Sequence, residues 1–404
     1  MMSIVRTALA VVLSVLMSAA FAGDDVKLPP GAKMPAQPRE WIAPTVDMTP
    51  PPAPARFGEK WTRDRQLPAA LAGHSAVAVG SRIFVLGGVS GKEHLGMRDV
   101  YTCTASKSGL GSWSKTTPLP VPAAFSAVVV AGKRLYLIGG ASREGMHHLY
   151  KSVWSAEVKG GSLGKWREEA GLPEAIMYQA AAFLDGYIYV LGGFNGQEYG
   201  RKTLYSKVNT DGTLGEWKTA TAVYPHPIGR TTMLPAGSCL VVCGGVNWDS
   251  QGEHISSLMM RGKRTAEGDI TEWVSDDGIK MSSRSMTYSI SEHAGTTDGN
   301  FLYAAGGRDP GTLGVATVQA AWISPDGRIT RWQYGPDMPA WGMKGPVQPV
   351  RLYQSAAVIA DNRLFVLGGF LSIREVSKLT WSINLKPYQE PEWVKGWRER
   401  QGKK

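Results

Sequence analysis

Six diglycine steps divide most of this chain into units of similar length. They begin at Gly87, Gly139, Gly192, Gly244, Gly306 and Gly368, with spacings of 52, 53, 52, 62 and 62 residues. Each ends an apolar run, as in FVLGG at 84–88, YLIGG at 136–140 and YVLGG at 189–193. Self-similarity at a period near 50 residues marks a repeat architecture, in which one supersecondary unit cannot bury its faces alone and stacks on its neighbours. The 404 residues are therefore read as one array rather than divided by length into unrelated domains.

Tryptophan keeps the same beat at Trp61, Trp113, Trp166, Trp217, Trp273, Trp332 and Trp393. A proline step follows most of them: LP at 67–68, 119–120 and 172–173, YP at 224–225 and MP at 338–339, with none after Trp273. Each unit then reads as four short strands. The first is a run of small apolar residues such as HSAVAV (74–79) or QSAAVIA (354–360), the pattern of a strand buried on both faces. A tight turn leads to the second strand, which ends at the diglycine. A variable loop leads to a third strand, such as SVWSAEV (152–158). GSLGKW, GTLGEW or a relative then turns into the fourth, and the Asp-Gly pairs at 211–212 and 326–327 are hairpin signals.

This combination resembles the kelch-repeat β-propellers, including a secreted bacterial kind with repeated DGxLGxW turns, over about residues 57–390. The resemblance implies an all-β, six-bladed propeller with four antiparallel strands per blade. The residue chemistry agrees. Paired glycines reach dihedrals closed to other residues, tryptophan offers a flat packing surface, and a radial array leaves only short protected edges.

Closure of the ring poses a question, because six in-phase diglycines accompany seven in-phase tryptophans. The favoured solution has GEKWT (58–62) supply the outer strand of the last blade beside SKLTWSINL (377–385). The alternative strand before Trp393 holds two prolines and lacks the glycine turn.

The ends read differently. Residues 1–22 resemble a secretory signal, with Arg6, an apolar stretch and AFA at 20–22, so a periplasmic or extracellular location with a start at Gly23 is expected. Residues 23–56 form a proline-rich extended arm, with nine prolines between 29 and 54. Residues 391–404 read as a basic, solvated tail. No later segment is apolar enough to span a membrane. Cys103, Cys239 and Cys243 read as buried small apolar groups. Cys239 and Cys243, four apart on one strand, would lie about 13 Å apart, beyond disulfide reach. The formal net charge of +10 suits an acidic glycan, an envelope surface or an acidic protein partner, and no nucleic-acid motif is present.

In this architecture the first strand begins and the second ends on one face, around the mouth of the central channel. That top face is the expected binding surface. The first-strand starts place His74, Tyr178, Gln179, Arg230, Arg284, Arg351 and Tyr353 there. The loops after the diglycines add Glu93, His94, Arg98, Glu144, His147, His148, Asn195, Glu198, Arg201, Asn247, Trp248, Asp249, Glu253, His254, Arg308 and Asp309. With Pro-flanked His226, six of the seven histidines fall on or beside this face. Adjacent His147 and His148 point apart on an extended chain, so no metal site and no cofactor are expected.

Two functions follow. One is a binding or scaffolding module that uses the top face. The other, by resemblance to sialic-acid mutarotases, is a carbohydrate-active enzyme. There Arg230, Arg284 and Arg351 would hold an anionic sugar and a carboxylate or histidine would move a proton. A galactose-oxidase-like copper site is rejected, because none of the three cysteines sits in that pattern. No nucleophile elbow, phosphate loop or zinc signature is present.

Overall fold

The computed structural model describes residues 54–401, apart from 92, 145–147, 250–251, 276–289, 311–313, 325–327, 330–331, 342–347, 350–351 and 373–374. Six antiparallel sheets follow one another around a central channel. The innermost strands are Ser75–Val79, Ala127–Ala131, Ala180–Leu184, Thr232–Ala236, Ala294–Thr297 and Ala356–Ala360. Each pairs only with the strand after it, so its other edge faces the channel. In the first two blades the glycine turn splits the outer strand into two short pieces.

The sixth blade is completed from the other end of the chain. Phe57–Arg63 pairs antiparallel with Thr380–Leu385, with Trp61 opposite Ile383 and Arg63 opposite Trp381. The favoured closure holds. The stretch holding Trp393 is instead part of a helix, Glu392–Gln401, with Val394 buried and Trp393 edge-on to Trp322 at 5.7 Å.

The apolar cores lie between blades, one at each of the six junctions. Phe84 and Leu86 meet Leu135 and Leu137 between the first and second blades. Tyr303 and Trp322 meet Val366 and Trp381 between the fifth and sixth, and Val85 and Cys103 meet Phe365 and Leu367 where the sixth returns to the first. Each fully buried side chain of this size contributes about 1.5–3 kcal/mol, and every blade draws on two neighbours. All three cysteines are free thiols.

The tryptophan beat has a polar purpose besides packing. The indole N–H of Trp61, Trp113, Trp166 and Trp217 donates to a carbonyl of the preceding blade or the segment leaving it: Pro336, Arg65, Thr117 and Ala170, at 2.6, 3.4, 3.4 and 2.8 Å. Each ring thus fastens one blade to the next.

Candidate functional site: the ring face

The inner strands begin one or two residues later than the sequence patterning suggests, and the two residues before each strand build the mouth of the channel. Gly73, Phe125, Tyr178, Arg230, Glu292 and Gln354 each stand fourteen positions before a diglycine. All six have positive φ, from 51° to 61°. Their backbones form a closed circle: each N–H donates to the carbonyl of its counterpart in the preceding blade, at 2.8–3.0 Å, and Gly73 closes the loop on Gln354. Five of these six are non-glycine residues in a conformation that L-residues rarely adopt. The circle of hydrogen bonds and the packing beneath it hold them there.

Their side chains lean over one another around the mouth and border a small cavity of about 130 Å³. A Cβ on Gly73 would sit 2.2 Å from the Phe125 ring, so glycine is required where that ring crosses. Phe125 meets Tyr178 at 4.7 Å. The Arg230 guanidinium lies 4.3 Å above the Tyr178 ring and pairs with the Glu292 carboxylate. Arg308 approaches Glu292 at 3.5 Å and Glu253 at 3.4 Å. Burial pushes the Tyr178 hydroxyl up to about 12. Burial also opposes the charge on Arg230, but Tyr178, Tyr199 and Glu253 outweigh it and its pKa rises. Arg230 is a permanent cation held between an aromatic face and an anion.

The next residue in each blade alternates large and small: His74, Ser126, Gln179, Thr231, His293, Ser355. The large ones reach back to the preceding blade. Gln179 donates to the Ile138 carbonyl at 2.7 Å, His74 faces the Leu367 backbone, and the His293 ring abuts Gly244. Burial lowers both histidines to about 4, so they are neutral packing groups at physiological pH.

The loops after the diglycines rise around this centre. Each pairs, two residues past the doublet's first glycine, with the residue before the ring: Ala72 with Val89, Ala124 with Ala141, Met177 with Phe194, Gly229 with Val246, Ser291 with Arg308 and Tyr353 with Phe370. His94 links three blades. Its ring pairs with Glu144 of the second and meets Phe370 of the sixth at 5.2 Å, and its carbonyl accepts from the Glu144 N–H. Tyr353 stacks on Phe370 at 5.2 Å. Glu93 and Glu198 are exposed on their loops, and Asp309 follows Arg308 half-buried. Trp248 and Asp249 lie on a hairpin opposite Glu253 and Gly252.

Two sequence expectations require correction. Arg284 and Arg351 fall outside the described residues; the ring residues of those blades are Glu292 and Gln354. In the two 62-residue units the extra residues precede the ring position, which displaced the assignment. Arg230 converges with Arg308 instead, on a carboxylate that sequence reasoning missed. His293, the one histidine left off this face, lies at its centre. The missed signal was the constant fourteen-residue offset from the diglycine.

Among the described residues, no group of three or more histidine, cysteine or acidic side chains is arranged to hold a metal, and no helix is long and apolar enough to cross a membrane. Comparison with known proteins agrees with the geometry. The family described as the KLHDC2/KLHL20/DRC7 Kelch-repeats domain matches residues 73–261. Over these residues the repeats are similar to kelch repeats. The chain is 23% identical to spermatocyte protein spe-26 of Caenorhabditis elegans, over 68% of this chain and 44% of that protein. It is 23% identical to Kelch-like protein 26 of Danio rerio, over 39% of this chain and 25% of that one. Kelch-like protein 23 of Mus musculus is 27% identical over 40% of this chain and 26% of its own length. The chain thus spans less than half the length of these relatives.

Proposed function

We propose that this kelch propeller is a binding module whose ring face takes a protein partner. One observation carries the reading: the charged side chains at the mouth are already paired with one another, so the face offers a contact surface rather than a free reacting group. Arg230 and Arg308 balance Glu292 and Glu253. Around them stand half-buried Phe194 and Tyr199 and an exposed Leu95, 48% accessible, the mixture of aromatic, arginine and apolar groups that protein interfaces favour. The loops that bear them rest on a rigid scaffold.

The sugar-isomerising alternative finds no support in the network. Arg230, its lead candidate for an anionic sugar, is occupied by Glu292. We also read the apolar N-terminal segment as an export signal, which places the partner outside the cytoplasm. N-terminal sequencing of the mature protein should then start at Gly23.

The test is a pair of substituted proteins compared for partner recovery. Leu95→Glu with Arg308→Glu alters the ring face, whereas Lys133→Glu alters the turn at the far end of the second blade. The proposal requires loss with the first and retention with the second. The opposite pattern refutes it.

A further inference from the structure

The central channel has a volume of about 460 Å³, within the ~300–1,000 Å³ range of small-molecule sites. Towards the ring face it adjoins a smaller cavity of about 130 Å³ bordered by the ring residues, with Ser126, Gln179, Thr231, His293 and Ser355 lining both. At the opposite end, the tight turns at Gly80, Gly132, Gly186 and Gly299 have nothing within 4 Å of where a side chain would start.

Its wall is neutral yet rich in hydrogen-bonding groups. No aspartate, glutamate, lysine or arginine lines it among the described residues; small apolar Ala76, Val128 and Ala181 line it together with hydroxyl-bearing Thr232, Thr296 and Ser355. Each of the six inner strands also turns an unpaired edge inward. Those edges present alternating N–H and C=O groups that need partners.

We propose that the channel is a binding site for a small, neutral, polyhydroxylated molecule. The chemistry selects that class over its rivals. A charged ligand would lose its hydration and meet no counter-charge. An apolar one would strip water from the strand edges and leave their polar groups unmatched, at about 1–3 kcal/mol each. A polyol carries donors and acceptors on adjacent carbons and can replace the waters, on the order of fifteen at ~30 Å³ each, with its own hydroxyls. This site adjoins the ring face but does not depend on the partner-binding reading of it.

The test is calorimetric titration of the intact protein with glycerol, glucose and trehalose, beside gluconate and glucosamine as charged counterparts. Thermal shift alone is insufficient, because polyols stabilise proteins by surface exclusion. The expected result is saturable binding of a neutral probe, weakened at least tenfold by Ala181→Phe. Should that variant not fold, Ile359→Cys in a Cys239→Ser background, capped after folding with a bulky thiol reagent, blocks the same tube. Absence of saturable binding, binding unchanged by the block, or preference for a charged counterpart overturns the proposal.

Discussion

Arg230 pairs with Glu292 across the junction between the fourth and fifth blades, and the Glu292 side chain is 1% exposed whereas that of Arg230 is 23% exposed. The two ring residues are also joined through their backbones, with the Glu292 N–H donating to the Arg230 carbonyl at 2.9 Å. Removing the carboxylate leaves a largely buried cation with the Tyr178 face and the Glu253 field for compensation. Glu292→Gln should cost about 2–3 kcal/mol, read as a lower urea midpoint. Replacing both partners with apolar residues should recover part of that loss. If Glu292→Gln matches the wild type, the pair does not hold the mouth together.

The buried histidines set an acid limit. His74 and His293 have folded-state pKa values of about 4, below the ordinary 6.5, so the unfolded chain takes up their protons first as pH falls. Their contribution is complete above about pH 6.5 and is lost between there and pH 4, by roughly 3 kcal/mol each at the lower end. Glutamine already fills the equivalent place at Gln179. His74→Gln with His293→Gln should therefore fold and flatten the acid limb of a stability–pH curve. A limb as steep as the wild type's would mean that other groups set it.

Gly73 tests the crossing of ring residues. Gly73→Ala brings a methyl to 2.2 Å from the Phe125 ring at φ 56°. A loss of about 2–4 kcal/mol is expected from overpacking and backbone strain. Adding Phe125→Ala should remove the clash and leave the smaller left-handed term, giving a double mutant less destabilised than the sum of the two changes. Simple additivity in thermal unfolding would show that the ring does not lie over Gly73.

Asp64 tests closure of the circle. It follows the N-terminal strand, accepts the Leu110 N–H of the first blade at 2.7 Å, and accepts the Ser382 hydroxyl of the sixth at 2.6 Å. Asp64→Ala should lower stability by about 2–3 kcal/mol. It should also speed hydrogen exchange selectively in Phe57–Arg63. Faster exchange spread evenly over all six blades would contradict a closing role.

The fold was legible because the propeller repeats its needs. Every unit repeats a glycine pair, an indole ring and a small apolar inner strand, so six imperfect copies reveal one pattern. Even closure by Phe57–Arg63 could be read, since Trp61 keeps the beat and the stretch before Trp393 lacks the turn. The site was less legible because function resides where copies differ. Glu292 sits in a unit whose ten extra residues shift the ring position away from Arg284, and only the offset to Gly306 reveals it. His74 looked like a ligand by residue type, but the neighbouring blade encloses it. Pairings such as Arg308 with Glu253 join loops 55 residues apart and leave no local trace.

The ring face as the partner surface is tested most directly by site-specific photo-crosslinking in the intact protein. A photoreactive side chain is placed at Leu95, Glu198 or Asp309 on one face, and at Lys133, Lys159 or Asp361 near the turns of the opposite end. The account predicts that the ring-face positions capture one common partner and that the far positions do not. Capture from the far positions alone would contradict it.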